Sequence, residues 1–179
     1  MDRYSQIIVL CEDSQQARFA YHFLIHCGVH ARRIRFNKSP LGKGAGEQFV
    51  RDHYPEQVRL YRSKCHHLNI GLVVILDADA RSVEAHQNEL EAALTAASLR
   101  RRGADERIGI FVPKRNIETW ICYLEGMAVN EIDDYSNSAI LEREWTRSVA
   151  RLAATRGQPL PAEAPPSLHA ACAELERVL

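Results

Sequence analysis

Long apolar runs are missing from this chain of 179 residues. None approaches the roughly 20 residues that a helix needs to cross a bilayer, so no membrane-spanning segment is expected. Cys-x-x-Cys pairs are missing too. The five cysteines, Cys11, Cys27, Cys65, Cys122 and Cys172, are odd in number and scattered. That spacing argues against a disulfide framework or a structural zinc site, and for free thiols, buried or half-buried, in a reducing compartment. Net charge is absent, because 23 Lys and Arg balance 23 Asp and Glu. The overall balance therefore selects no nucleic-acid partner, although the distribution of charge can. The opening residues run straight into an apolar stretch with no cleavage-site pattern, so no signal peptide is read and a cytoplasmic location is expected.

Several catalytic signatures are lacking as well. The glycines around Lys43 have the wrong spacing for a nucleotide-binding phosphate loop, and no Ser or Thr follows the lysine. No apolar strand leads into a Gly-x-Ser-x-Gly turn. His22 with His26, and His66 with His67, have no carboxylate at metalloprotease spacing and read as solvated or half-buried.

What remains is an alternation. Ile7-Ile8-Val9-Leu10-Cys11 and Leu72-Val73-Val74-Ile75-Leu76 are continuous apolar runs rich in β-branched residues, as strands buried on both faces require. Arg32 to Phe36 alternates like an edge strand, and Arg107 to Val112 reads as a fourth strand stopped by Pro113. Helical patterns follow each strand. One begins after Glu12-Asp13-Ser14, and one covers about 47–54 before Pro55 and resumes over about 56–67. Another is capped by Ser82 and closed by Arg100-Arg101-Arg102-Gly103, and a short one covers 117–124 with Trp120 in the core. The order implies an α/β fold: a three-layer, Rossmann-like, mainly parallel sheet of about four strands with helices on both faces. Residues 1–126 make that domain. Residues 127–179 make a C-terminal helical extension packed on it, with Leu141, Trp145, Val149 and Leu152 on one helical face and Ser167 capping the last helix.

In such sheets ligands bind at the carboxyl ends of the strands. Two of the buried-type strands end there in acids: Glu12 and Asp13 after the first, Asp77 and Asp79 after the third. While the backbone stays extended, Asp77 and Asp79 point the same way. Clustered carboxylates repel unless a cation neutralises them, and hard oxygen ligands suit Mg2+ or Mn2+. Capping the following helices is the simpler role for one such strand end; two agreeing strand ends favour metal. Glu118, in the first turn after the last strand, is a further candidate ligand. Lys114 and Arg115 beside it, and Lys43 in the glycine-rich loop over 37–46, are candidate phosphate or nucleic-acid contacts.

Glu12 after the first strand, Asp77-Ala78-Asp79 after the third, and Glu118 in Asn116-Ile117-Glu118-Thr119-Trp120 resemble the TOPRIM domain over roughly residues 6–125. That domain occurs in topoisomerases, primases, recombination proteins and the overcoming-lysogenisation-defect nucleases, and TOPRIM-like proteins occur in bacterial phage-defence loci. This chain departs from the family pattern at Asp13, where a glycine is usual, and at Ala80-Arg81-Ser82. The resemblance implies a metal-dependent nuclease. Glu12 would be a metal ligand or general acid/base, Asp77 and Asp79 would hold the ion, and Glu118 would complete a second site, so that these four are the catalytic set. Nucleic acid, DNA before RNA, is the implied substrate. An ATPase is the implied partner protein, and a homodimer is left open. Two rival readings stay open: a catalytically degenerate binding or assembly subunit, and a receiver-like signalling module in which Lys114 serves Asp77.

Overall fold

The computed structural model describes residues 4–40, 46–140 and 142–179. Four strands, β1 (Gln6–Cys11), β2 (Ile34–Lys38), β3 (Ile70–Ile75) and β4 (Ile108–Phe111), form one sheet in the order β2-β1-β3-β4. Every pairing is parallel. Six helices accompany them: α1 (Ser14–His26), α2 (Gly46–Lys64), α3 (Val83–Ala96), α4 (Ile117–Leu124), α5 (Glu142–Ala154) and α6 (Pro166–Val178). The expected α/β architecture is the one observed.

Strand alternation divides the core in two. Ile8, Leu10, Leu72, Val74 and Ile110 pack with Val50, Tyr54, Val58 and Tyr61 of α2 and with Leu90 and Leu94 of α3. Ile7, Val9, Val73 and Ile75 pack with Ala17, Ala20 and Leu24 of α1 and with Val178 of α6. A third cluster joins Phe19, Trp120, Trp145, Val149 and Leu168, so α4, α5 and α6 share apolar contacts with α1. Glycine makes the approach of α6 possible. A Cβ at Gly109 would lie 2.7 Å from Val178 Cγ2, and one at Gly71 would lie 3.1 Å from Val178 Cγ1. The outer edge of β4 is closed by side chains. Glu174 accepts from the Ile110 N–H at 2.8 Å, and Arg102 donates to the Ile108 carbonyl at 2.9 Å. Glu174 and Arg102 also pair with each other.

Four local expectations need correction. Pro55 does not divide a helix in two, because α2 runs through it. The buried stripe Val50, Tyr54, Val58, Tyr61 continues across Pro55, and burying it outweighs the lost backbone hydrogen bond. Arg32 and Arg33 belong to a short 3-10 turn, and β2 starts only at Ile34. Arg100 to Arg102 lie beyond the end of α3 and close no helix; Arg102 pairs with Glu174, and Arg100 with Glu106. Ser167 does not cap α6. It sits inside the helix, buried, accepts from the Trp120 indole N–H at 2.8 Å and donates its own N–H to Glu131 at 2.7 Å. Trp120 is core, and the five cysteines are free, with Cys11 and Cys122 buried. Leu141 lies outside the described residues, while Trp145 and Val149 of α5 are buried. Among the described residues no helix is long and apolar enough to cross a membrane.

Candidate metal centre at the carboxyl edge of the sheet

The chain leaves β1 toward β2 on one side of the sheet and returns past β1 to β3 on the other. Adjacent β1 and β3 therefore send their following segments apart, which opens a crevice at their carboxyl ends. Glu12 and Asp77 flank it. The Asp77 N–H donates to Glu12 Oε1 at 2.7 Å, so residues 65 apart in sequence are in contact. The N-terminus of α2 closes one side. A Cβ on Gly46 would lie 2.7 Å from Glu12 Cβ and 3.2 Å from its Cα, so α2 can start this close only from a glycine.

Burial is the main influence on each acid. It lifts the Glu12 carboxyl from its ordinary 4.5 to about 7; the Asp77 N–H opposes this, and the charges of Asp13, Asp79 and Glu47 add to it. Asp77 is held well above the usual carboxylate range by burial first, then by Glu12, Asp13 and Glu118. Glu118 is raised by burial and by the charges of Asp13 and Asp134. Gln16 accepts from the Glu12 N–H through Oε1 at 2.9 Å, which leaves its Nε2 end to favour the charged form of Asp77. Asp77 Oδ1 and Gln16 Nε2 are both buried without a hydrogen-bond partner. Among the described residues no Lys, Arg or His forms an ion pair with Glu12, Asp77, Asp79 or Glu118. A buried, orphaned carboxylate oxygen among uncompensated acids fits a hard divalent cation.

The remaining expected site residues are distributed less simply. Asp13 is the N-cap of α1, accepting from the N–H groups of Gln15 and Gln16, each at 2.8 Å. Asp79 adopts φ +48°, so the extended backbone assumed for Asp77-Ala78-Asp79 does not continue through it. It is exposed, and its N–H donates to the Arg115 carbonyl at 3.0 Å. Glu118 lies in the first turn of α4, which Asn116 caps. Lys114 bonds the carbonyl oxygen of Arg81, and Arg115 acts on Asp134. Lys43 lies outside the described residues. The edge therefore collects Glu12, Asp77, Asp79 and Glu118, but no three of them place their ligand atoms within 4.8 Å of one another. No protein family, characterised protein or solved structure matches the chain.

One set of three ligands does meet that spacing among the described residues: Glu47 of α2 with His86 and Glu89 of α3. The chain thus carries a group of side chains that could hold a metal ion, and the sequence reading missed it. His86 and Glu89 stand three apart, which puts them on one helical face, and that pair was a usable signal. Nothing in the spacing marks Glu47 as their neighbour; the packing of α2 on α3 brings it there. Glu47 also acts on Glu12, so the two acidic groups adjoin. His22 instead faces Glu142 at 3.3 Å, while His26, His66 and His67 are exposed.

Proposed function

We propose that this protein is a TOPRIM-like, metal-dependent nuclease that hydrolyses phosphodiester bonds of nucleic acid, DNA before RNA. The observation that carries the reading is the unpartnered Asp77 Oδ1, buried beside Glu12 at the switch point of the sheet. Glu12, Asp77, Asp79 and Glu118 would hold Mg2+ or Mn2+. Direct ligation by three of them is not required, since Mg2+ keeps several waters and is commonly bound by one or two carboxylates plus substrate phosphate. When bound, the ion would polarise the phosphoryl group and lower the pKa of a coordinated water.

The chain's own groups have separate tasks. The Asp77 N–H fixes the Glu12 carboxyl, whose proton leaves near pH 7, a range suited to accepting and returning protons at neutral pH. Lys114, Arg115 and Lys43 would steady phosphate oxygens. Service in bacterial anti-phage defence beside an ATPase partner belongs to the same proposal. The left-handed backbone at Asp79 is what favours the rival reading of a catalytically inert assembly subunit.

The test is cleavage of single- and double-stranded DNA and RNA with Mg2+ or Mn2+, by the protein alone and with its candidate partner. Cleavage should vanish on chelation and fall at least about a hundredfold in Glu12→Ala and Asp77→Ala, as loss of a charge-stabilising group in an active site does. Equal cutting by wild type and both variants would defeat the proposal.

A further inference from the structure

We propose that Glu47, His86 and Glu89 form a second cation site, for a zinc-class divalent metal, separate from the all-carboxylate site at Asp77. The argument begins with His86. Its side chain is buried, 1 % exposed, and its Nε2 lies 3.2 Å from the Ala78 carbonyl oxygen. A carbonyl oxygen only accepts, so Nε2 carries a hydrogen and Nδ1 is the ring nitrogen left for another partner. That Nδ1 has no hydrogen-bond partner. It faces two carboxylates instead, with Glu47 Oε1 at 3.4 Å and Glu89 Oε2 at 3.9 Å. One buried imidazole nitrogen and two carboxylate oxygens, all within 4.8 Å of one another, make a donor set for a single cation.

The donor set chooses the class of cation. One imidazole nitrogen with two carboxylates suits Zn2+ or Co2+ better than Mg2+, which favours oxygen alone. Three protein ligands leave a position open for water or substrate. A ring that donates its other N–H to a backbone carbonyl is the usual support of a metal-ligating histidine. Here that carbonyl belongs to Ala78, the middle residue of Asp77-Ala78-Asp79, so the second site is braced against the loop that bears the first.

Arg51 and Arg81 now pair with the two glutamates. The Arg81 side chain is 44 % exposed, and surface pairs of that kind are worth little, whereas Arg51 is 29 % exposed and bridges both glutamates, so a metal has to displace Arg51 in particular.

Calorimetric titration with Zn2+ in excess Mg2+ tests the proposal, with the visible absorption of added Co2+ as a second readout. Wild type should bind one Zn2+. Glu47→Gln and Glu89→Gln, at positions half-buried on helix surfaces, should weaken binding at least about tenfold and change the Co2+ spectrum. Asp77→Asn should bind Zn2+ as wild type does. Circular dichroism confirms that each variant is folded. His86→Ala is avoided as the deciding variant because it empties a buried site. The proposal falls if wild type takes no Zn2+, which is the result expected if a second proton on His86 takes the place of the metal. It also falls if both glutamine variants bind normally, or if Asp77→Asn alone abolishes binding. None of these outcomes depends on whether the protein cleaves nucleic acid, and failure of cleavage leaves the zinc titration readable.

Discussion

Replacing Glu12 by Gln removes a charge that the metal-free fold holds at a cost in stability. The glutamine keeps the length of the side chain and an oxygen to accept from the Asp77 N–H, so the 2.7 Å contact can persist. The carboxyl is pushed from an ordinary 4.5 to about 7, chiefly by burial. At about 1.4 kcal/mol for each pH unit between those values, the penalty comes to about 3.5 kcal/mol, and partial solvent access makes about 2 kcal/mol the working figure. The sign follows from which state releases its proton first. Below pH 4.5 both states are protonated and the penalty is absent. As pH rises toward about 7 the unfolded chain ionises and the folded one resists, so the native state loses ground; above pH 7 the full penalty applies. Urea unfolding in a chelator should therefore show Glu12→Gln more stable than wild type at pH 8.5, with its midpoint higher by about 1 M, and equal to wild type near pH 4. Mg2+ should then restore wild type and leave the variant unmoved, because a ligand that binds only the native state stabilises it. A variant no more stable than wild type at pH 8.5, or one whose advantage persists unchanged at pH 4, refutes the reasoning.

Two further perturbations probe how the site is positioned. Gly46→Ala places a Cβ 2.7 Å from Glu12 Cβ, a rigid neighbour; we expect a loss of about 1–3 kcal/mol in thermal unfolding together with reduced metal-dependent cleavage, despite the better helix propensity of alanine. An undiminished melting temperature would show that α2 does not start as closely against Glu12 as described. Pro55→Ala restores a backbone donor within α2 and should raise stability by about 1–3 kcal/mol in the same assay, with cleavage unchanged. No gain would mean that the proline already suits the helix it interrupts.

The sheet was legible because its signal is local. The runs ending at Cys11 and Leu76 announce strands buried on both faces, and parallel order carries their acids to one edge. Contact between Glu12 and Asp77 then needs only the neighbouring of β1 and β3. Features set by packing were not legible. Pro55 has the same breaking tendency in any sequence window, and only the buried stripe of α2 overrides it. Ser167 has the composition of a cap, yet its hydroxyl accepts from the Trp120 indole, 47 residues earlier in the chain. Asp79 is spaced like Asp77, but the left-handed turn after Ala78 is a property of the bridge to Arg115. Glu47 joins His86 and Glu89 only because two helices share one face of the sheet.

The clasp of Glu174 and Arg102 over β4 has a consequence for assembly. A strand from another molecule could be added there only after both side chains were pulled from the Ile108 carbonyl and the Ile110 amide. Edge-to-edge growth is blocked on that flank, as it is in proteins that guard their margins against aggregation. A second copy of this chain would therefore have to dock through helices, or alongside β2 at the far margin.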